Sequence, residues 1–176
     1  MSLQSFQQGY RGEPCGVKLG FRGAMEGQSA ERASMNAVPE HLITRIDHVG
    51  IAVPDLDEAI AWYGRAFSLK VTHEEVNEEQ GVREAMLGVG DSESSIQLLA
   101  PLSDDSPIGK FLARMGPGIQ QVAYGVSDID AVCDHLRAEG IRVLYDTPKT
   151  GTAGSRVNFL HPKDAGGVLV ELVESA

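Results

Sequence analysis

Five polar side chains in this sequence sit at positions where strand alternation would gather them: His48, Glu84, Gln97, Gln121 and Glu171. One imidazole, two amides and a carboxylate form a hard, oxygen-rich ligand set. Such a set suits a divalent ion in octahedral geometry with water sites left open, and does not suit a structural zinc site. The fifth group, Glu84, is a carboxylate with the reach of a general base. Taken singly, each has an ordinary reading. His48 reads as a structural strand histidine, Gln97, Gln121 and Glu171 as solvent-facing polar residues, and Glu84 as an exposed strand carboxylate.

The combination carries the argument, because these positions repeat. HVGIAVPDLDEA from His48 aligns with QVAYGVSDIDAV from Gln121 at an offset of 73. At the same offset REAML (83–87) lies over RVNFL (156–160), and one residue later in phase QLLAP at Gln97 lies over ELVES at Glu171. A fixed period marks a duplicated unit. About 70 residues is too long for a solenoid repeat and right for a βαβββ module. Each half then places one polar residue in its first strand and one in its last, on one sheet face. Glu84 breaks the symmetry, since its repeat partner is Val157.

The elements that must position these groups follow from period and punctuation. Ile46 to Val53 alternates as a strand and Pro54 ends it. Asp55 caps a helix whose apolar stripe is Leu56, Ala59, Ile60, Tyr63 and Phe67. Strands are expected over 69–75, 82–89 and 94–100, which complete module one (about 46–100). Module two (about 119–174) opens with a strand over 119–126. Ser127 is expected to cap a helix carrying Ile129, Val132, Cys133 and Leu136, with Gly140 closing it. Strands over 141–145, 156–160 and 168–173 complete it, and a short helix is expected over 107–115 in the linker. The fold class is α+β: two tandem βαβββ modules paired about a pseudo-twofold, each curved mixed sheet contributing to a shared metal-binding cleft.

The chain of 176 residues carries a net charge of -10. Residues 1–40 hold four basic and four acidic residues, so the whole excess lies in 41–176. An acidic domain with no basic stripe argues against nucleic acid and membrane surfaces as partners. Cys15 and Cys133 form no metal spacing or disulfide framework. Residues 1–41 read as a disordered leader or an artificial extension, ahead of a domain over 42–176. A cytoplasmic location is the default.

The segments IDHVGIAVPDLDEAIAWY, EVNEEQGVREAML, IQLLAPL, GIQQVAY, GSRVNFLHPKD and GGVLVEL resemble the methylmalonyl-CoA epimerases of the vicinal oxygen chelate superfamily. The resemblance covers about residues 42–174. It implies an isomerase acting on an acyl-CoA, a homodimer, and a divalent metal, cobalt first, with manganese, nickel, magnesium or zinc as alternatives. It makes His48, Gln97, Gln121 and Glu171 the metal ligands, with Glu84 the general base and Glu171 the opposing group. Gln121 departs from the family, which places a histidine at the end of this segment, so weaker and harder metal binding is expected. Lys149, Arg156 and Lys163 are candidates for the coenzyme A phosphates. Ser155, with Gly151 and Gly154, is a candidate for the substrate carboxylate. Two competing readings use the same fold: a lactoylglutathione lyase-like enzyme or dioxygenase, and a metal-free small-molecule-binding protein. The low aromatic content, 6%, and Glu84 weigh against the binding protein.

Overall fold

The structure is a computed structural model that describes residues 36–176; most of the expected leader, residues 1–35, lies outside the described residues. Eight strands form one mixed sheet. Module one supplies β1 (Ile43–Ala52), α1 (Leu56–Phe67), β2 (Lys70–Asn77), β3 (Val82–Gly88) and β4 (Ser95–Pro101). After α2 (Pro107–Met115), module two supplies β5 (Gly118–Val126), α3 (Ile129–Ala138), β6 (Lys149–Thr150), β7 (Arg156–Leu160) and β8 (Leu169–Glu174). The strand order is β2-β3-β4-β1-β5-β8-β7-β6. β1 pairs parallel with β4, and β5 parallel with β8. The two first strands pair antiparallel at the centre, with Val49 opposite Val122, and these are repeat equivalents. The pseudo-twofold expected from the repeat therefore runs between β1 and β5.

α1 and α3 cover the outer face, while α2 packs Ile108, Phe111 and Leu112 against Ala52, Val82 and Leu99 beside the cleft. Asp55 accepts a hydrogen bond from Glu58 N–H at 2.9 Å and starts α1. Leu56, Ala59, Ile60 and Tyr63 then pack on Ala85, Leu87 and Leu98, whereas Phe67, expected on the same stripe at the helix end, stays exposed. α3 repeats the arrangement against Leu160 and Leu172. Its cap is Asp128, not Ser127: the Asp128 carboxylate accepts from Ala131 N–H at 2.9 Å. The Ser127 hydroxyl instead donates to the His41 carbonyl. Val38 and Leu42 also pack into this cluster. Each fully buried leucine contributes roughly 1.5–3 kcal/mol.

One expected strand is absent. Residues 141–145 form only a single bridge, Val143 to Leu160. The buried Asn158 side chain explains this: its amide accepts from Tyr145 N–H and donates to the Tyr145 carbonyl. A side chain thus takes the backbone groups that a longer ladder would have used.

The sheet curls. Five inter-strand steps separate β3 from β7, about 24 Å in a flat sheet. Yet Thr152, just before β7, touches Glu84 of β3 at 2.7 Å. The inner face therefore closes into a cleft.

Candidate active site

Four side chains point into this cleft from the four central strands. His48 comes from β1, Gln97 from β4, Gln121 from β5 and Glu171 from β8, and all are buried. His48 Nε2 lies 3.1 Å from Glu171 Oε2 and 3.4 Å from the Gln121 amide nitrogen. The same amide donates to Gln97 Oε1 at 3.3 Å and to Glu171 Oε2. The expected ligand set is thus brought together. Gly50 makes this possible. It lies opposite Gln121, and a Cβ there would stand 2.6 Å from Gln121 Cγ.

Among the described residues no group of three or more His, Cys, Asp and Glu side chains is placed to hold a metal ion, because two of the four here are amides. The donor chemistry still fits a hard divalent ion: the His48 nitrogen, the Gln97 oxygen and the Glu171 carboxylate converge in a buried site, and the Gln121 amide, whose nitrogen faces them, presents its oxygen there once the amide is turned over.

Glu84, only 2% exposed, lies beside this cluster. Its Oε2 accepts from Gln97 Nε2 at 3.0 Å and its Oε1 from the Thr152 hydroxyl. Burial pushes its pKa up, against the Thr152 hydrogen bond, and the neighbouring Glu75 and Glu171 charges add to it; the value reaches about 7. Glu75 sits directly across from Glu84 on β2. Burial opposes ionisation at Glu75 too, but His73 and the Ala153 N–H hold its pKa below the usual range. Adjacent carboxyl groups whose pKa values are driven apart mark acid-base chemistry.

His48 is buttressed from behind. Burial alone would lower its pKa, but hydrogen bonds to Asp47 and Glu171 outweigh that and raise it to about 9. Asp47 Oδ1 stands 3.0 Å from His48 Nδ1, and Arg45 holds the other Asp47 oxygen at 2.6 Å.

Two cavities flank the cluster. One, of about 390 Å³, shares Gln97 and Gln121 and is walled by Leu99, Ile108, Phe159 and Leu169. The other, of about 370 Å³, shares His48 and Glu171 and is lined by Thr152, Ser155 and Arg45. Of the expected phosphate-binding residues, Lys149 lines the first cavity, 3.5 Å from Glu79. Lys163 is exposed in the turn after β7 and lines neither cavity. Arg156 corrects the expectation. It lies on the opposite face from Val157, bound to Asp130 at 2.7 Å and Glu174 at 2.6 Å. Strand alternation explains this, since Val157 is the inward residue. The expected backbone donors are also committed. Gly151 N–H donates to the Ser155 carbonyl, Gly154 N–H to Gly151, and Ser155 N–H to Thr152.

Sequence reasoning missed Asp47, Glu75, Gln120 and Thr152. Alternation assigns Asp47 and Gln120 to the outer face. Thr152 depends on a turn in which Ala153 adopts a left-handed φ of 54°. The available signal was the pairing of Asp47 with Gln120 in the repeat alignment.

A curled sheet of two βαβββ modules with a buried polar cluster at the pseudo-twofold defines a class, and comparison agrees. Residues 47–159 match the model of the Glyoxalase/Bleomycin resistance protein/Dioxygenase superfamily. The human mitochondrial methylmalonyl-CoA epimerase is 38% identical over 152 residues, 82% of this chain and 85% of the relative. The crystal structure of methylmalonyl-CoA epimerase from Mycobacterium tuberculosis is 56% identical with a TM-score of 0.76, covering 81% of this chain and 95% of that one. A glutamate-to-glutamine variant of the Streptomyces coelicolor epimerase, in complex with 2-nitronate-propionyl-CoA, is 51% identical with a TM-score of 0.74. It covers 76% of this chain and 99% of that one. The chain belongs to the methylmalonyl-CoA epimerase family of this superfamily.

Proposed function

We propose that the chain interconverts the (2R) and (2S) epimers of methylmalonyl-CoA. The observation that carries this reading is Glu84, buried beside the four-residue cluster with both oxygens held by Gln97 and Thr152. The C2 proton lies between a thioester carbonyl and a carboxylate, so its removal gives an enolate. Glu84 as carboxylate takes that proton. The C2–H bond breaks and its electron pair spreads onto the thioester oxygen. A base with a pKa near the working pH does this best, and burial supplies that match. Glu171 serves as the second carrier, and a proton delivered from the opposite face completes inversion.

His48, Gln97, Gln121 and Glu171 would hold a divalent ion, cobalt in this reading, which supplies positive charge against the developing enolate oxygen. Lys149, which lines the first cavity, meets the coenzyme A end together with Lys163. Ser155, buried in the second cavity, meets the substrate carboxylate. The catalytic unit is residues 42–176, acting as a homodimer in the cytoplasm. Among the described residues no helix is long and apolar enough to cross a membrane.

The test is deuterium exchange at C2 of methylmalonyl-CoA in D₂O, on protein stripped of metal and refilled with Co²⁺. The expected result is metal-dependent exchange with inversion, lost in Glu84→Ala. No exchange under any metal condition would overturn the reading.

A further inference from the structure

The first strands of both modules carry the same irregularity. Between β1 and β5 the register runs Ile46–Tyr124, His48–Ala123, Gly50–Gln121 and Ile51–Ile119. Asp47 is therefore an extra residue on β1 and Gln120 an extra residue on β5. They stand 73 residues apart, as His48 and Gln121 do. A bulge breaks alternation and re-aims a side chain. Asp47 is turned into the second cavity beside His48. Gln120 is turned into the first, beside Gln121 and Gln97.

The two bulged residues differ in what they meet. Asp47 is bonded to His48 and Arg45. Gln120 Oε1 is buried and has no hydrogen-bond partner among the described residues. Native folds seldom leave a buried acceptor unpaired, because its desolvation is not recovered. The walls around it are mostly hydrocarbon, from Leu99, Ile108, Phe159 and Leu169, with Glu79, Gln80 and Lys149 also lining the cavity. A molecule that belongs there is mostly apolar and carries one N–H donor. The cysteamine end of an acyl-CoA has that form: two methylenes beyond the sulfur comes an amide N–H. The cavity also begins at Gln97 and Gln121, where the proposed chemistry places the thioester.

We propose that this cavity takes the cysteamine end of the thioester arm and that Gln120 Oε1 accepts a hydrogen bond from its amide N–H. Gln120 is then a specificity residue for thioesters that carry this amide, and the bulge is the device that aims it. The inference rests on the epimerase reading.

The test pairs two substrates: the methylmalonyl thioester of N-acetylcysteamine, and its analogue with the amide N–H replaced by an ester oxygen. kcat/KM for C2 exchange is measured for each with the Co²⁺-loaded protein. Wild type should prefer the amide by about tenfold, the scale of one buried hydrogen bond. Gln120→Leu should bring the amide-to-ester ratio to about one, and Gln120→Glu, which keeps an acceptor oxygen, should retain it. A wild-type ratio near one overturns the proposal whether or not the variants fold, and so does a preference that survives in Gln120→Leu. Failure of wild type to exchange methylmalonyl-CoA itself would remove the epimerase reading, and the inference with it.

Discussion

Module one and module two share a frame and diverge where chemistry is done. Among the repeat-equivalent pairs that differ, four matter most at the cleft: His48 against Gln121, Gly50 against Ala123, Asp47 against Gln120, and Glu84 against Val157. The first three pairs lie along the β1–β5 seam, and the fourth lies on β3 and β7. Val157 is buried among Ala123, Val173 and Phe159 as ordinary core. Glu84 is buried as deeply but spends its oxygens on Thr152 and Gln97. Duplication therefore supplies the curled frame, and departures from it supply the polar groups proposed to do the chemistry.

Abolishing the last of these differences should have the largest effect. Glu84→Val makes module one match module two and should lower kcat for C2 exchange by about 10²- to 10⁴-fold, the range of a general base. In wild type, exchange should fall as pH drops below about 7, because only ionised Glu84 accepts a proton. The stability profile has the opposite slope. The folded-state pKa is raised above 4.5, so the folded protein favours protonated Glu84, and its contribution is lost as pH rises from 4.5 through 7. Denaturant titrations across that window should show a flatter pH dependence in Glu84→Val than in wild type.

The bulged pair comes next. Asp47→Ala removes the partner of His48 Nδ1 and should weaken Co²⁺ binding, read by calorimetry, by about 10- to 100-fold. Gln120→Ala should leave that affinity unchanged; an equal loss would show that the two bulges serve one purpose. For the Gly50 and Ala123 pair, Gly50→Ala drives a Cβ into Gln121 and should cost about 1–3 kcal/mol by thermal or denaturant unfolding. Ala123→Gly should cost only about 0.5–1 kcal/mol, the penalty of a glycine in a strand. The smallest effect is expected on the outer face. Arg156→Ala should leave KM for methylmalonyl-CoA within about twofold, since its guanidinium is committed to Asp130 and Glu174.

Much of the fold was legible because the signals are local and repeated. Asp55, the stripe on α1 up to Tyr63, the span of α2 and the strands of module one all follow from period and capping. The repeat alignment alone paired His48 with Gln121, and Gln97 with Glu171. It also exposed Glu84 as the odd residue, and all five meet in the cleft. Local reading failed where side chains replace backbone or alternation breaks. Asn158 takes the hydrogen bonds that residues 141–145 needed for a strand. Asp128 outcompetes Ser127 for the cap. Arg156 is a phosphate candidate in the sequence, yet the strand's pleat turns it to the outer face, onto Asp130 and Glu174.

The sequence by itself determined the duplicated α+β frame and the residue types that meet at its axis, because period-two alternation and a fixed offset act through the chain alone. Only the tertiary structure decided how those residues are held. The register between β1 and β5 set the bulges that aim Asp47 and Gln120. The curl of the sheet brought Thr152 from one end onto Glu84 near the other. Both depend on segments 68 or more residues apart in sequence finding one another, and no local propensity encodes that contact.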